Sequence, residues 1–99
     1  MIESVAHVAT EQPQRYLKQL VSHLGHKLST RLLEDGSGEI VLHDGMCRLV
    51  ADDGVLVLTA RAHDDSGLDH VCSVIGRHLE RFGARDALRV AWQRPAQAS

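Results

Sequence analysis

No excess of positive charge runs through this sequence: eleven Lys and Arg stand against thirteen Asp and Glu, a net charge of −2 with His neutral. A phosphate backbone meets no global basic field, so no nucleic-acid partner is expected. Long apolar runs are missing too, none approaching the roughly 20 residues that cross a bilayer. Met1-Ile2-Glu3-Ser4 carries an acid where an export signal carries Lys or Arg. A cytoplasmic protein without a membrane partner is the expectation. Cysteine is scarce: Cys47 and Cys72 have no CxxC spacing, and in a reducing compartment they read as buried, reduced thiols that react slowly. No Gly-x-Ser-x-Gly occurs, and Gly36 and Gly38 lie in a turn between strands rather than opening a helix, so there is neither a nucleophile elbow nor a phosphate loop. No catalytic residue is expected.

What is present suits one modest core. Of 99 residues, 43% are hydrophobic and 24% charged, and the charges are spread along the chain. A single α+β domain over residues 1–94 is expected, with 95–99 as a frayed tail. Residues 2 to 9 alternate, Ile2, Ala6 and Val8 against Glu3 and His7, as a short strand does. Thr10 follows as a helix N-cap, with Glu11 and Pro13 in the first turn. From there to Gly25, Tyr16, Leu17, Leu20, Val21 and Leu24 fall within one arc of about 140°, the stripe of a core-facing helix. Gly25 stands where a left-handed residue would close it.

Between residues 28 and 61 the period changes to two, and three turn signals appear: Asp35-Gly36-Ser37-Gly38, Asp44-Gly45 and Asp53-Gly54. These predict an antiparallel meander. Read as two-residue hairpin turns, the last two pair Leu42 with Cys47, Ile40 with Leu49, Leu49 with Leu58 and Ala51 with Leu56, which makes one face wholly apolar. The other face receives Val50 beside Val57 and Val41 beside Arg48 and Thr59, with His43, Met46 and Arg61 in the next row. Asp64-Asp65-Ser66 then cap a second helix, on which Leu68, Val71, Cys72, Ile75, Leu79 and Phe82 share a face, and Gly83 ends it. Leu88, Val90 and Trp92 alternate as a last strand, with Trp92 turned toward the core. The predicted order is β-α-β-β-β-β-α-β, an antiparallel sheet with both helices on one face.

Arg15-Tyr16-Leu17-Lys18-Gln19-Leu20, His23, His26-Lys27 and His78-Leu79-Glu80-Arg81-Phe82, together with the glycine-turned strands between them, resemble the bacterial family known as domain of unknown function 2218. The resemblance runs from about Ala6 to Trp92. It implies a bacterial protein with a fold similar to half of a TATA-binding-protein saddle. Some relatives occur near siderophore-interacting or iron-uptake proteins, which makes such proteins expected partners and iron an expected theme. The resemblance names no catalytic residue.

Read for themselves, the seven histidines draw attention by placement. On the first helix Arg15, Gln19, His23 and His26 step by four, four and three along the border of the apolar arc. His23 and His26 at i and i+3 are two ligands of a divalent metal or iron site, and His78, or else Glu80, is the expected third, whereas His70 is expected to point away. The same histidines can instead cap the edge of the core. Arg15, Gln19 and Lys27, with Lys18 and Arg31 near by, offer an anionic metal chelate its contacts, although a solvated helix face accounts for the same cations. Two functions follow. The first is a non-catalytic homo-oligomeric module, expected as a homodimer, that buries the sheet face carrying Val41, Met46, Val50, Val55 and Val57. The second is a binding domain for a metal or anionic metal chelate.

Overall fold

Alternation of period two carries the chain into β1 (Ile2–Ala9), whose Ala6 and Val8 are fully buried while His7 and Ala9 face solvent. A computed structural model describes residues 1–94 of the chain; the tail expected at 95–99 lies outside the described residues. After β1 come α1 (Pro13–Leu24), β2 (Ser29–Leu32), β3 (Gly38–Leu42), β4 (Gly45–Asp52), β5 (Val55–Ala62) and α2 (Asp65–Phe82). Pro13 opens α1, where its missing N–H is no loss. Thr10 is not the N-cap: Gln12 holds that position, and Thr10 Oγ1 accepts from the Gln12 N–H at 3.1 Å in the turn before it. Gly25 ends α1 in a right-handed rather than left-handed conformation, φ −63°. Asp64 does cap α2, its carboxylate accepting from the Gly67 N–H at 2.7 Å.

All strand pairs are antiparallel, in the order β1-β5-β4-β3-β2. The β4–β5 hairpin turns at Asp53-Gly54 as expected, pairing Leu49 with Leu58 and Ala51 with Leu56, and Gly54 supplies the positive φ of 69°. The β3–β4 hairpin differs. Its loop is His43-Asp44, so Leu42 pairs with Gly45, Ile40 with Cys47 and Gly38 with Leu49, two residues away from the predicted register. Gly45 is therefore a strand residue, and what selects it is space. A Cβ there would lie 2.4 Å from the Arg61 carbonyl oxygen and 2.7 Å from Val71 Cγ2. A slip of two leaves every side chain on its face, so Ile40, Cys47, Leu49, Leu56 and Leu58 still point together and are fully buried.

Against that face pack Leu17 and Leu20 of α1 and Leu68, Val71, Ile75 and Leu79 of α2, all buried. Each such Leu or Ile contributes roughly 2 kcal/mol by leaving water. The segment expected as a last strand reaches the sheet at one bridge, where Gln93 and Val5 exchange N–H···O bonds of 2.8 Å. Before it, Ala84–Asp86 forms a short 3₁₀ turn and Ala87 is left-handed, φ 53°. Leu88 closes over Gly83, and Val90 and Trp92 lie over Gly76. Their apolar alternation thus serves contact with α2 instead of a ladder. No helix among the described residues is long and apolar enough to cross a membrane.

Candidate functional site

Three surface features offer chemistry, and the helix groove holds the first. Helices α1 and α2 bring the His23 and His78 rings together, centroids 5.6 Å apart, with Phe82 edge-on to His23 at 4.9 Å. The His78 Nδ1–H donates to the Val74 carbonyl at 2.7 Å, which leaves Nε2 with a lone pair. A shallow cavity of about 260 Å³ opens beside it, lined by Arg77, His78 and Arg81. His26 does not join this pair. Helix α1 ends at Leu24, and His26 lies exposed in the turn beyond it. Glu80, the other expected third ligand, accepts from the Val90 N–H at 3.0 Å. Arg15, Gln19 and Lys27 are all exposed; Arg15 donates to Gln12 Oε1 at 2.9 Å.

The second feature was hidden by the register. Among the described residues, the set of three His, Cys, Asp or Glu side chains whose ligand atoms lie within 4.8 Å of one another is His43, Asp44 and His70. His70 does not point away; its Nδ1 sits 3.0 and 2.9 Å from the two Asp44 carboxylate oxygens. That hydrogen bond holds the Asp44 carboxyl below the ordinary carboxylate range, with partial burial opposing it and the charges of His43 and His70 adding to it. With the turn drawn at Asp44-Gly45, His43 falls on the sheet; with the turn at His43-Asp44, both residues project from the hairpin end toward α2.

The outer sheet face is the third. Neither helix covers it, and its rows are Val50, Val57 and His7; Arg31, Glu39, Arg48, Thr59 and Val5; and Ser29, Val41, Met46, Arg61 and Glu3. Met46 and Arg61 thus stand beside Val41, one row from where the predicted register put them. Arg61 Nε donates to Glu3 at 2.8 Å, and Arg31 approaches Glu39 at 3.8 Å. Arg48 has no ion-pair partner within 4.0 Å among the described residues.

The thiols divide. Cys47 is fully buried, and burial pushes its pKa far above the ordinary thiol value. Cys72, expected in the core, is only half-buried; its thiol is raised by burial and partly relieved by a hydrogen bond with Ser4. Neither has the depressed pKa of a nucleophile.

Residues 5–93 match the profile of a family described as uncharacterised proteins conserved in bacteria, DUF2218. No curated protein matches the chain. Among solved structures, the NMR structure of PA4090 from Pseudomonas aeruginosa is similar at 33% identity and a TM-score of 0.79, over 99% of this chain and 100% of that one. With both sequence profile and fold shared along nearly its whole length, the chain belongs to this family of uncharacterised bacterial proteins, DUF2218.

Proposed function

We propose that the chain is a non-catalytic module that self-associates through its helix-free sheet face, the occupant of that face being a second copy of itself. The observation that carries this reading is the exposure of Val41 and Val50, 45% and 37% accessible, on a sheet face that no helix covers, whereas the other face packs against both helices and leaves only Leu32 at its β2 edge exposed among the described large apolar side chains of its strands. Val5, Met46, Val55 and Val57 lie half-buried around them. β-branched side chains on a flat face gain most from a matching flat face.

Charge supports a like partner over an unlike one. Glu39 and Arg48 are cross-strand neighbours on this face. A two-fold axis lying in the interface, along the strands and between Glu39 and Arg48, would set Arg48 of each copy against Glu39 of the other, twice over. Such pairing is required, because a guanidinium buried without an acceptor costs several kcal/mol.

Val50→Asp puts a carboxylate beside Val57 without touching the helix-covered core. Sedimentation at tens of micromolar is expected to find the wild type dimeric and the variant monomeric, with circular dichroism unchanged. A monomeric wild type removes the proposal, and a dimeric Val50→Asp moves the interface elsewhere.

A further inference from the structure

The β3–β4 turn is pressed against the start of α2 by two backbone approaches that only glycine permits. A Cβ on Gly67 would stand 2.7 Å from the Asp44 carbonyl oxygen, and one on Gly45 would meet the Arg61 carbonyl oxygen and Val71. Asp44 lies between these clamps, and its side chain is about a quarter exposed (27%), while His43 and His70 are 83% and 44% exposed. A carboxylate–imidazole hydrogen bond accounts for His70 alone. It leaves His43 unexplained, since His43 Nε2 approaches the same Asp44 oxygen, Oδ2, at 3.7 Å, and its ring centroid stands 5.6 Å from that of His70. Two imidazoles therefore converge on one carboxylate oxygen from two different elements.

We propose that His43, Asp44 and His70 form a three-ligand site for a divalent transition-metal ion, with the remaining coordination open to water. Two nitrogens and one oxygen suit zinc and its first-row neighbours, whereas magnesium and calcium take oxygen sets. Around a tetrahedral ion with bonds near 2.1 Å, ligand atoms lie about 3.4 Å apart. The Asp44 oxygen already stands 2.9 Å from His70 Nδ1 and 3.7 Å from His43 Nε2, on either side of that spacing. The His43 side chain is free in solvent to close in. When Nδ1 of neutral His70 takes the metal, its proton moves to Nε2 on the same ring, so no other base is needed. The charge sum is favourable as well: neutral imidazoles and one carboxylate carry −1 against the ion's 2+.

Calorimetric titration of the full chain with Zn²⁺ tests the site, with Mg²⁺ as the contrast. One Zn²⁺ per chain is expected to bind, and Mg²⁺ is not. His43→Gln, at a side chain too exposed to disturb the fold, and His70→Gln should each weaken Zn²⁺ binding by at least about tenfold. A His23→Gln/His78→Gln variant, which alters the helix groove, should bind as the wild type does. The visible spectrum of the Co²⁺ complex should change in His43→Gln and not in the groove variant. No Zn²⁺ binding by the wild type at tens of micromolar, wild-type affinity in both His43→Gln and His70→Gln, or loss confined to the groove variant would each overturn the proposal, as would Mg²⁺ binding as tight as Zn²⁺.

Discussion

Asp44 joins a turn to a helix through one carboxyl, and its titration reports whether the joint is made. Its native pKa is lowered chiefly because His70 donates to the ionised form. A carboxyl depressed on folding adds stability that is complete above its unfolded value and is lost as pH falls through the lower native value. His70→Ala should therefore move the Asp44 titration, followed by NMR, up toward the ordinary 3.8 and start acid unfolding at a higher pH. An Asp44 curve unchanged by the substitution would mean that the hydrogen bond is absent in solution. The sequence held all three residues in view yet did not unite them. Asp-Gly is a strong hairpin signal, and Gly45 reads as the turn's left-handed residue when its task is to let the Arg61 backbone and Val71 come close. The two-residue slip spared the core, because parity was kept, and cost the site, because His43 was moved from the turn to the sheet.

Elements that the sequence rendered most clearly are those whose signal is local. Helix α1 follows from five apolar residues at helical spacing, all of which are buried, and the Asp53-Gly54 hairpin from a glycine that does adopt positive φ. The segment after α2 was less legible because its partners are distant: it is held by Tyr16 of α1, Gly76 and Glu80 of α2, and Val5 of β1. The Tyr16 hydroxyl donates to the Asp86 carboxylate across 70 residues of chain. That bond, then burial, raises the Tyr16 pKa above its ordinary 10.0. The resulting stability is fully present below pH 10 and is lost as pH rises through the raised native value. Tyr16→Phe removes the bond but leaves Asp86 in water, so it should lower stability by about 1 kcal/mol in urea unfolding near neutrality. The deficit should shrink at alkaline pH. Equal stability of the two proteins at pH 7 would show that the bond contributes nothing to the stability of the fold.

A sheet with α1 and α2 on one side leaves the molecule one-sided, and its open face mixes apolar with charged side chains. Three arginines, Arg31, Arg48 and Arg61, share it with Glu3 and Glu39, and two of the three already have carboxylates at 2.8 and 3.8 Å. Arg48 is left to look outward from the middle of the apolar rows. If two copies meet face to face about a two-fold axis, each substitution acts twice, which makes charge reversal a sharp instrument. Arg48→Glu would set a carboxylate against Glu39 of the second copy at both symmetric positions, and like charges so placed cost several kcal/mol. Glu39→Arg alone would oppose arginine to arginine in the same way. The double variant Glu39→Arg/Arg48→Glu restores opposite signs between positions 39 and 48, within the chain and across the interface together, while leaving the exposed Arg31 beside a second cation. Sedimentation at a fixed concentration of tens of micromolar should then give monomer for each single reversal and dimer for the double, and the dimer alone should show a thermal midpoint that rises with protein concentration. A surface that merely tolerates charge would leave all three variants in the wild-type state, whereas an interface that excludes Arg48 would leave the singles dimeric; either result would sink the face-to-face arrangement.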